Sequence, residues 1–309
     1  MNAVLPLRAG TRGSPLALVQ TRLFLGLLGA GQGEETVIST TGDAVQDRPL
    51  ADIGGKGLFA KEIHEALLDG RVDCAVHSLK DLETELPDGI VLGCVLARED
   101  ARDVLILGDT CGPADPANPL GALPRGALVG TSSVRRQAQL LHVRPDLRVT
   151  SIRGNVQTRL RKLGAGECQA SLLALAGLRR LGMDIPNAVV LDPGTMLPAA
   201  AQGIVGITVR AGDTALRDRL AAIEDAASRV AATAERAMLA VLDGSCRTPI
   251  GAYARLLPHG GLDLTGMVAR ADGSFLLRRS LGGASADAER IGRELGAVLR
   301  AGAPVDLFG

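Results

Sequence analysis

Short apolar runs alternate with amphipathic stretches through the first two thirds of the chain. The run 72–76 follows an amphipathic stretch over 58–68, and further apolar runs at 37–40, 90–96, 104–107, 127–130, 148–152, 171–176 and 204–209 predict strands. That alternation predicts an α/β sheet with parallel strands. In such sheets ligands gather at the carboxyl ends of strands, where helix N-termini offer unpaired N–H groups.

Pro and Gly crowd residues 110–125, which reads as a long loop inside a second unit beginning near 98–103. A second turn-rich stretch, 184–198, closes that unit. After Asp213 the pattern changes: a helix over 229–242, two runs at 262–270 and 274–281 joined across Asp272-Gly273, and a final helix over about 287–300. That order predicts a smaller α+β domain built on a hairpin.

Charge removes several classes of function. The 309 residues hold 34 Lys+Arg against 34 Asp+Glu, so no broad basic footprint for nucleic acid exists. With no Trp, one Tyr and four Phe, no aromatic platform for stacked bases is expected either. An anion must therefore be caught by a local site. No run of about 18 apolar residues is present to span a bilayer, and residues 1–14 lack the pattern of a secretory signal, so a cytoplasmic protein is expected. Cys74, Cys94, Cys111, Cys168 and Cys246 are scattered and never form C-x-x-C, and the four His are equally dispersed. Neither a disulfide framework nor a metal site is expected.

Three strand ends carry arginine. Thr131-Ser132-Ser133-Val134-Arg135-Arg136 opens a helix whose apolar stripe reads Val134, Ala138 and Leu141, with Ser132 or Ser133 as N-cap. A capped helix start with two forked guanidiniums suits a carboxylate or phosphate; alone, it reads equally as a solvated face. Ser151-Ile152-Arg153-Gly154-Asn155 repeats the arrangement with Asn155 as cap, and Arg159 borders the stripe Val156, Leu160 and Leu163. Arg179 and Arg180 follow a third strand. Arg12 and Ser14 sit in Thr11-Arg12-Gly13-Ser14-Pro15 near the start. Four such placements imply a ligand with several acidic groups.

His77-Ser78-Leu79-Lys80-Asp81 leaves the strand at 72–76, where a catalytic carboxylate is expected; Asp81 stabilises a developing cation in that reading, or merely pairs with Lys80 in the bland one. Gly54-Gly55-Lys56-Gly57-Leu58-Phe59 fails the phosphate-loop pattern and reads as a loop bringing Lys56 or Phe59 to a cleft, or as a plain turn. Cys246, in a loop bounded by Gly244 and Pro249 with Arg247 beside it, is the cysteine expected to be exposed. Cys74 and Cys94 fall in apolar runs and are expected to be inert.

Taken in order, Ala9–Ala17, Gly54–Phe59, His77–Asp81, Gly130–Gln137, Arg153–Arg159, Ala176–Gly182, Leu197–Gly203, Glu235–Met238 and Cys246–Gly251 resemble the porphobilinogen deaminase (hydroxymethylbilane synthase) family. The resemblance covers nearly the whole chain. It implies an α/β fold of two periplasmic-binding-protein-like domains plus a smaller α+β C-terminal domain: residues 1–98 with 197–215, then 99–196, then 216–309. It also implies a cytoplasmic, monomeric transferase of tetrapyrrole biosynthesis that condenses four porphobilinogen molecules, releasing ammonia each time, on a dipyrromethane cofactor bound covalently through Cys246.

By the same resemblance Asp81 is the catalytic residue. Lys80, Asp81, Ser132, Arg135, Arg136 and Arg153 hold the cofactor, and Arg12, Ser14, Arg153, Arg159 and Arg180 hold substrate. Lys56 and Phe59 belong to a covering loop, and Asp43 and Ser133 support the site. Two positions depart from the family pattern: Glu83 stands where Pro is usual, and Ala201 where Gly is usual. A non-catalytic anion receptor would need the arginines but not Asp81. Phosphoryl transfer would need Mg²⁺ ligands, for which no pattern is seen.

Overall fold

The computed structural model describes residues 6–44, 60–242 and 248–308. It divides into two compact units, residues 1–99 with 203–229 and residues 100–202 with 230–309. The chain thus passes between them at Glu99/Asp100, at Gln202/Gly203 and within one helix.

In the first unit, β1 (Leu7–Thr11), β2 (Gly33–Val37), β3 (Cys74–Ser78), β4 (Ile90–Val95) and the late strand Val205–Arg210 form one sheet, in the order β2, β1, β3, late strand, β4. β1 runs parallel to β2 and β3, whereas the late strand is antiparallel to both neighbours. Helices α1 (Pro15–Leu28), α2 (Thr41–Ala44) and α3 (Lys61–Leu68) belong to this unit. α1 starts where it does because Ser14 Oγ accepts from the Ala17 amide at 3.3 Å and Pro15 fills the first turn. Phe24 and Leu220 seal the core against Leu7, Cys74, Cys94 and Ile207. Each such large buried side chain contributes about 1.5–3 kcal/mol.

The second unit repeats the plan. β5 (Asp103–Leu107), β6 (Leu128–Gly130), β7 (Arg148–Thr150), β8 (Ala170–Ala174) and β9 (Ala188–Leu191) are ordered β7, β6, β8, β5, β9. β6, β7 and β8 are parallel, and β5 is antiparallel to β8 and β9. In each unit three parallel strands are followed by one antiparallel strand and an edge strand. This is the α/β architecture expected, with one correction: the antiparallel strands break the all-parallel pairing. Both come from the points where the chain passes between units, so they enter their sheets from the opposite end. With the late strand now numbered β10, the remaining helices of these sheets are α4 (Val134–Val143), α5 (Val156–Gly164), α6 (Leu175–Arg180) and α7 (Thr214–Ala221).

Also in the second unit, β11 (Ile250–Leu257), β12 (Gly261–Ala269) and β13 (Leu276–Ala284) form an antiparallel sheet backed by α8 (Ala226–Val241) and α9 (Ala288–Gly302). This is the smaller α+β piece. β12 and β13 are joined across Asp272-Gly273, as the pattern predicts. β1, β9 and β11 are strands the apolar runs did not reveal. The run at 37–40 is corrected to a strand ending at Val37, and the run at 171–176 turns into α6 at Leu175. The stripe expected for α4 is corrected too: Arg135, Arg136, Ala138, Gln139 and Leu140 are buried, while Val134 and Leu141 are only half-buried. A buried acid opposite the arginines, described below, reverses the helix's apparent polarity.

Candidate active site

In the first unit, β1 and β3 are parallel neighbours, so the residues after them leave the same edge of the sheet. Arg12 and Ser14 follow β1. Asp81 closes a 3-10 turn, Leu79–Asp81, immediately after β3. These three residues line one cavity of about 80 Å³, together with Leu16, Ala17, Gln20, Ala60, Val76, His77 and Ser78. The structure thus brings Asp81, Arg12 and Ser14, each singled out separately from the sequence, to one cavity. Asp81 is exposed and Lys80 half-buried.

The cavity wall is braced from behind. Gln20, buried in α1, donates through Nε2 to Ser78 Oγ at 3.0 Å, fixing the last residue of β3. His77 Nε2 lies 3.0 Å from Thr208 Oγ1 on β10. Burial, reinforced by His64 and by the Arg12 charge, pushes the His77 imidazole down to about 3. His64, its ring centroid 5.6 Å away, is also held below its ordinary value by burial. Gln20, His64 and Thr208 were not singled out from sequence. Their role depends on partners far along the chain, which no local motif announces.

In the second unit, β6, β7 and β8 run parallel, so α4, α5 and α6 all begin at one edge. Ser133 is the N-cap of α4, accepting from the Arg136 amide at 3.4 Å. Ser132 instead donates to the Ile152 carbonyl at 2.6 Å and meets Ser151 Oγ at 3.2 Å, joining the loops that precede α4 and α5. Gly130 permits that junction, because a Cβ there would lie 2.7 Å from Ile152 Cδ1. Asn155 caps α5, accepting from the Thr158 amide at 2.8 Å. Arg159 Nε donates to the Gly154 carbonyl at 2.9 Å. Arg153, just before α5, and Arg159, within α5, are half-buried, and so is Arg180, the last residue of α6.

Arg135 and Arg136 are the most deeply placed arginines here, their side chains 5% and 6% exposed. Both meet Asp103, which is fully buried: Arg135 Nη1 lies 2.8 Å from Oδ2 and Arg136 Nη2 2.7 Å from Oδ1. Burial alone would raise the Asp103 carboxyl, but the two guanidiniums hold it well below the usual range. Burial lowers Arg135, and Asp103 opposes that shift. Arg135 Nε is buried without a hydrogen-bond acceptor. The apolar cysteines behave as expected: Cys74 and Cys94 are fully buried, and burial pushes the Cys94 thiol up to about 12.

Asp43 lies in α2. Lys56, Phe59 and Cys246 lie outside the described residues. Among the described residues no group of three or more His, Cys, Asp or Glu could hold a metal ion, and no helix is long and apolar enough to cross a membrane.

Residues 7–218 match the family described as porphobilinogen deaminase, dipyromethane cofactor binding domain, and residues 230–301 match porphobilinogen deaminase, C-terminal domain. Porphobilinogen deaminase of Paracoccus denitrificans is 47% identical over 309 residues, covering 98% of this chain and 96% of its own. The chloroplastic porphobilinogen deaminase of Oryza sativa subsp. japonica is 49% identical over 282 residues, 89% of this chain and 77% of its own. A Salmonella typhimurium periplasmic binding protein of high arginine specificity is 14% identical, covering 76% of this chain and 97% of its own at a TM-score of 0.41. Two consecutive family matches and near full-length identity approaching one half establish that this chain belongs to the porphobilinogen deaminase family.

Proposed function

We propose that the chain is a hydroxymethylbilane synthase, joining four porphobilinogen molecules head to tail with loss of one ammonia each. The observation that carries this reading is the cavity that gathers Asp81, Arg12 and Ser14 at the carboxyl ends of β1 and β3. A dipyrromethane group on Cys246 supplies the free pyrrole carbon to which the first substrate is joined.

The second unit fits such an acidic group. Two buried guanidiniums share a single carboxylate, which leaves one positive charge in excess, and Arg135 Nε lacks an acceptor. A buried charge in excess favours an anionic partner. In this reading Ser132, Arg135, Arg136 and Arg153, with Lys80 and Asp81, hold the carboxylates and rings of the primer. Arg12, Ser14, Arg153, Arg159 and Arg180 hold the acetate and propionate of incoming porphobilinogen, and Lys56 and Phe59 cover the cavity.

Within the cavity the Asp81 carboxylate accepts the pyrrole N–H. It also stabilises the positive charge that spreads over the substrate ring as ammonia leaves, and its Oδ atoms take and return the proton. His77 remains neutral beside Arg12, so it adds no competing charge to the cavity. The reading takes residues 1–98 with 197–215, 99–196 and 216–309 as three domains, and the protein as a cytoplasmic monomer.

Intact mass measurement tests it directly. The native protein should carry the added mass of two pyrrole rings, lost in Cys246→Ser, and should form bilane from porphobilinogen. Native protein with no adduct and no bilane rules the reading out.

A further inference from the structure

We propose that Asp103 is a positioning residue that aligns the guanidiniums of Arg135 and Arg136, and that Gln202 ties this alignment to the segment by which the chain returns to the first unit. The inference rests on the proposed function, since it gives those arginines carboxylates to hold.

The carboxylate of Asp103 meets donors from two directions. Oδ1 accepts from Arg136 Nε at 3.2 Å, Arg136 Nη2 at 2.7 Å and Gln202 Nε2 at 2.9 Å, while Oδ2 faces Arg135 Nη1 at 2.8 Å. Oδ1 is thus filled by three donors, while Oδ2 meets the Arg135 charge as an ion pair and makes no aligned hydrogen bond. The paired bonds from Arg136 fix the plane of that guanidinium as well as its charge, and Arg135 is held by charge. No apolar side chain of the same size would do this.

Gln202 is itself rigidly held. Its Nε2 also donates to the Ala101 carbonyl at 2.7 Å, next to the other passage between the units. The residue before it, Ala201, has φ +60° and gives its amide to Glu235. At the other end of the same segment, the Leu197 carbonyl accepts from Arg135 Nη1 at 2.5 Å and from Gln139 Nε2 at 3.1 Å, and the Leu197 amide donates to Gln139 Oε1 at 2.7 Å. Arg135 and Asp103 therefore grip the segment 197–202 at both ends. A shift of that segment is a shift of the arginines.

A double-mutant cycle on the native holoenzyme decides the matter, with Gln202→Leu and Arg136→Lys as the single variants. Because the arginines hold the carboxylates of the primer, misalignment displaces the primer's reacting carbon from bound porphobilinogen and appears in kcat. In the adduct-carrying fraction each variant should lower kcat about tenfold with KM nearly unchanged, and the pair together should again give about tenfold, because both break one network. The fraction of protein carrying the Cys246 adduct at purification should fall in the same order, a readout independent of turnover. A kcat unchanged in adduct-carrying Gln202→Leu with only the active fraction reduced, or effects that multiply to about a hundredfold, overturns the proposal. Asp103→Asn should lose adduct loading altogether; if it does not fold, the cycle stands by itself. Failure of the broader reading is distinguishable, because then wild type also lacks adduct and bilane.

Discussion

The amide of Ala201 donates to Glu235 Oε2 at 2.5 Å, and the bond holds an alanine in the left-handed region at φ +60°. Glu235 is fully buried in α8 and accepts from the Ala254 amide at 2.7 Å through its other oxygen. One carboxylate thus fixes both the return segment and the first strand of the C-terminal sheet. The family's usual glycine at this position now has a physical reason: the site requires positive φ, and the buried carboxylate compensates an alanine for the strain.

Ala201→Gly relieves that strain but loosens the unfolded chain, so stability should change by less than about 1 kcal/mol. Gly203→Ala should behave differently. Its φ is +90°, and a Cβ would lie 2.2 Å from the Glu99 carbonyl oxygen. We expect a loss of about 3 kcal/mol or more. Urea unfolding of the two variants checks both, and equal stabilities would refute the contrast.

Asp81→Asn keeps the shape of the cavity but removes the charge that stabilises the developing cation. The rate of ammonia release should fall by about 10²- to 10⁴-fold while porphobilinogen binding persists. Single-turnover kinetics beside equilibrium binding separates the two, and a variant that loses binding but not rate would contradict the assigned role.

Acid should destabilise the first unit through His77. Its imidazole is pushed down to about 3 from 6.5, so between those values the unfolded chain takes up a proton that the folded chain refuses. Stability from this group is complete above pH 6.5 and is lost as pH falls toward about 3, at up to about 1.4 kcal/mol per pH unit. His64, lowered by burial, acts in the same direction. Urea midpoints between about pH 5 and 6.5, above the ordinary range of carboxylates, should decline with acid in wild type and less steeply in His77→Gln. Identical slopes would show that His77 is not the source.

The helix caps should differ in strength. Asn155 accepts from its N3 amide at 2.8 Å, Ser133 at 3.4 Å. Asn155→Ala is expected to cost about 1 kcal/mol and Ser133→Ala less. Thermal melts of both variants test the order.

Much of the site was legible because its signals are short-range. Asn155 and the serine pair before α4 announce helix starts within four residues, and Asp81 follows directly from the strand that positions it. Arg12 and Ser14, which follow a strand the apolar runs did not reveal, share one cavity with Asp81 only in the folded chain. Asp103 was not legible. It sits among Arg98, Asp100 and Arg102 in a charged stretch that looks solvated, and its true partners lie 33 residues further on in α4.

The sequence by itself determined the alternation of strand and helix, the capped helix starts, the placing of charged groups at strand ends and the membership of a family, because periodicity, capping and motif order are properties of the chain within short windows. Tertiary structure decided which way the helix at Val134 turns, since only a buried acid brought in from β5 makes it favourable for two arginines to face inward. It also decided that β5 and β10 run against their neighbours. Pairing between distant segments depends on where the chain passes from one unit to the other, and no local pattern carries that information.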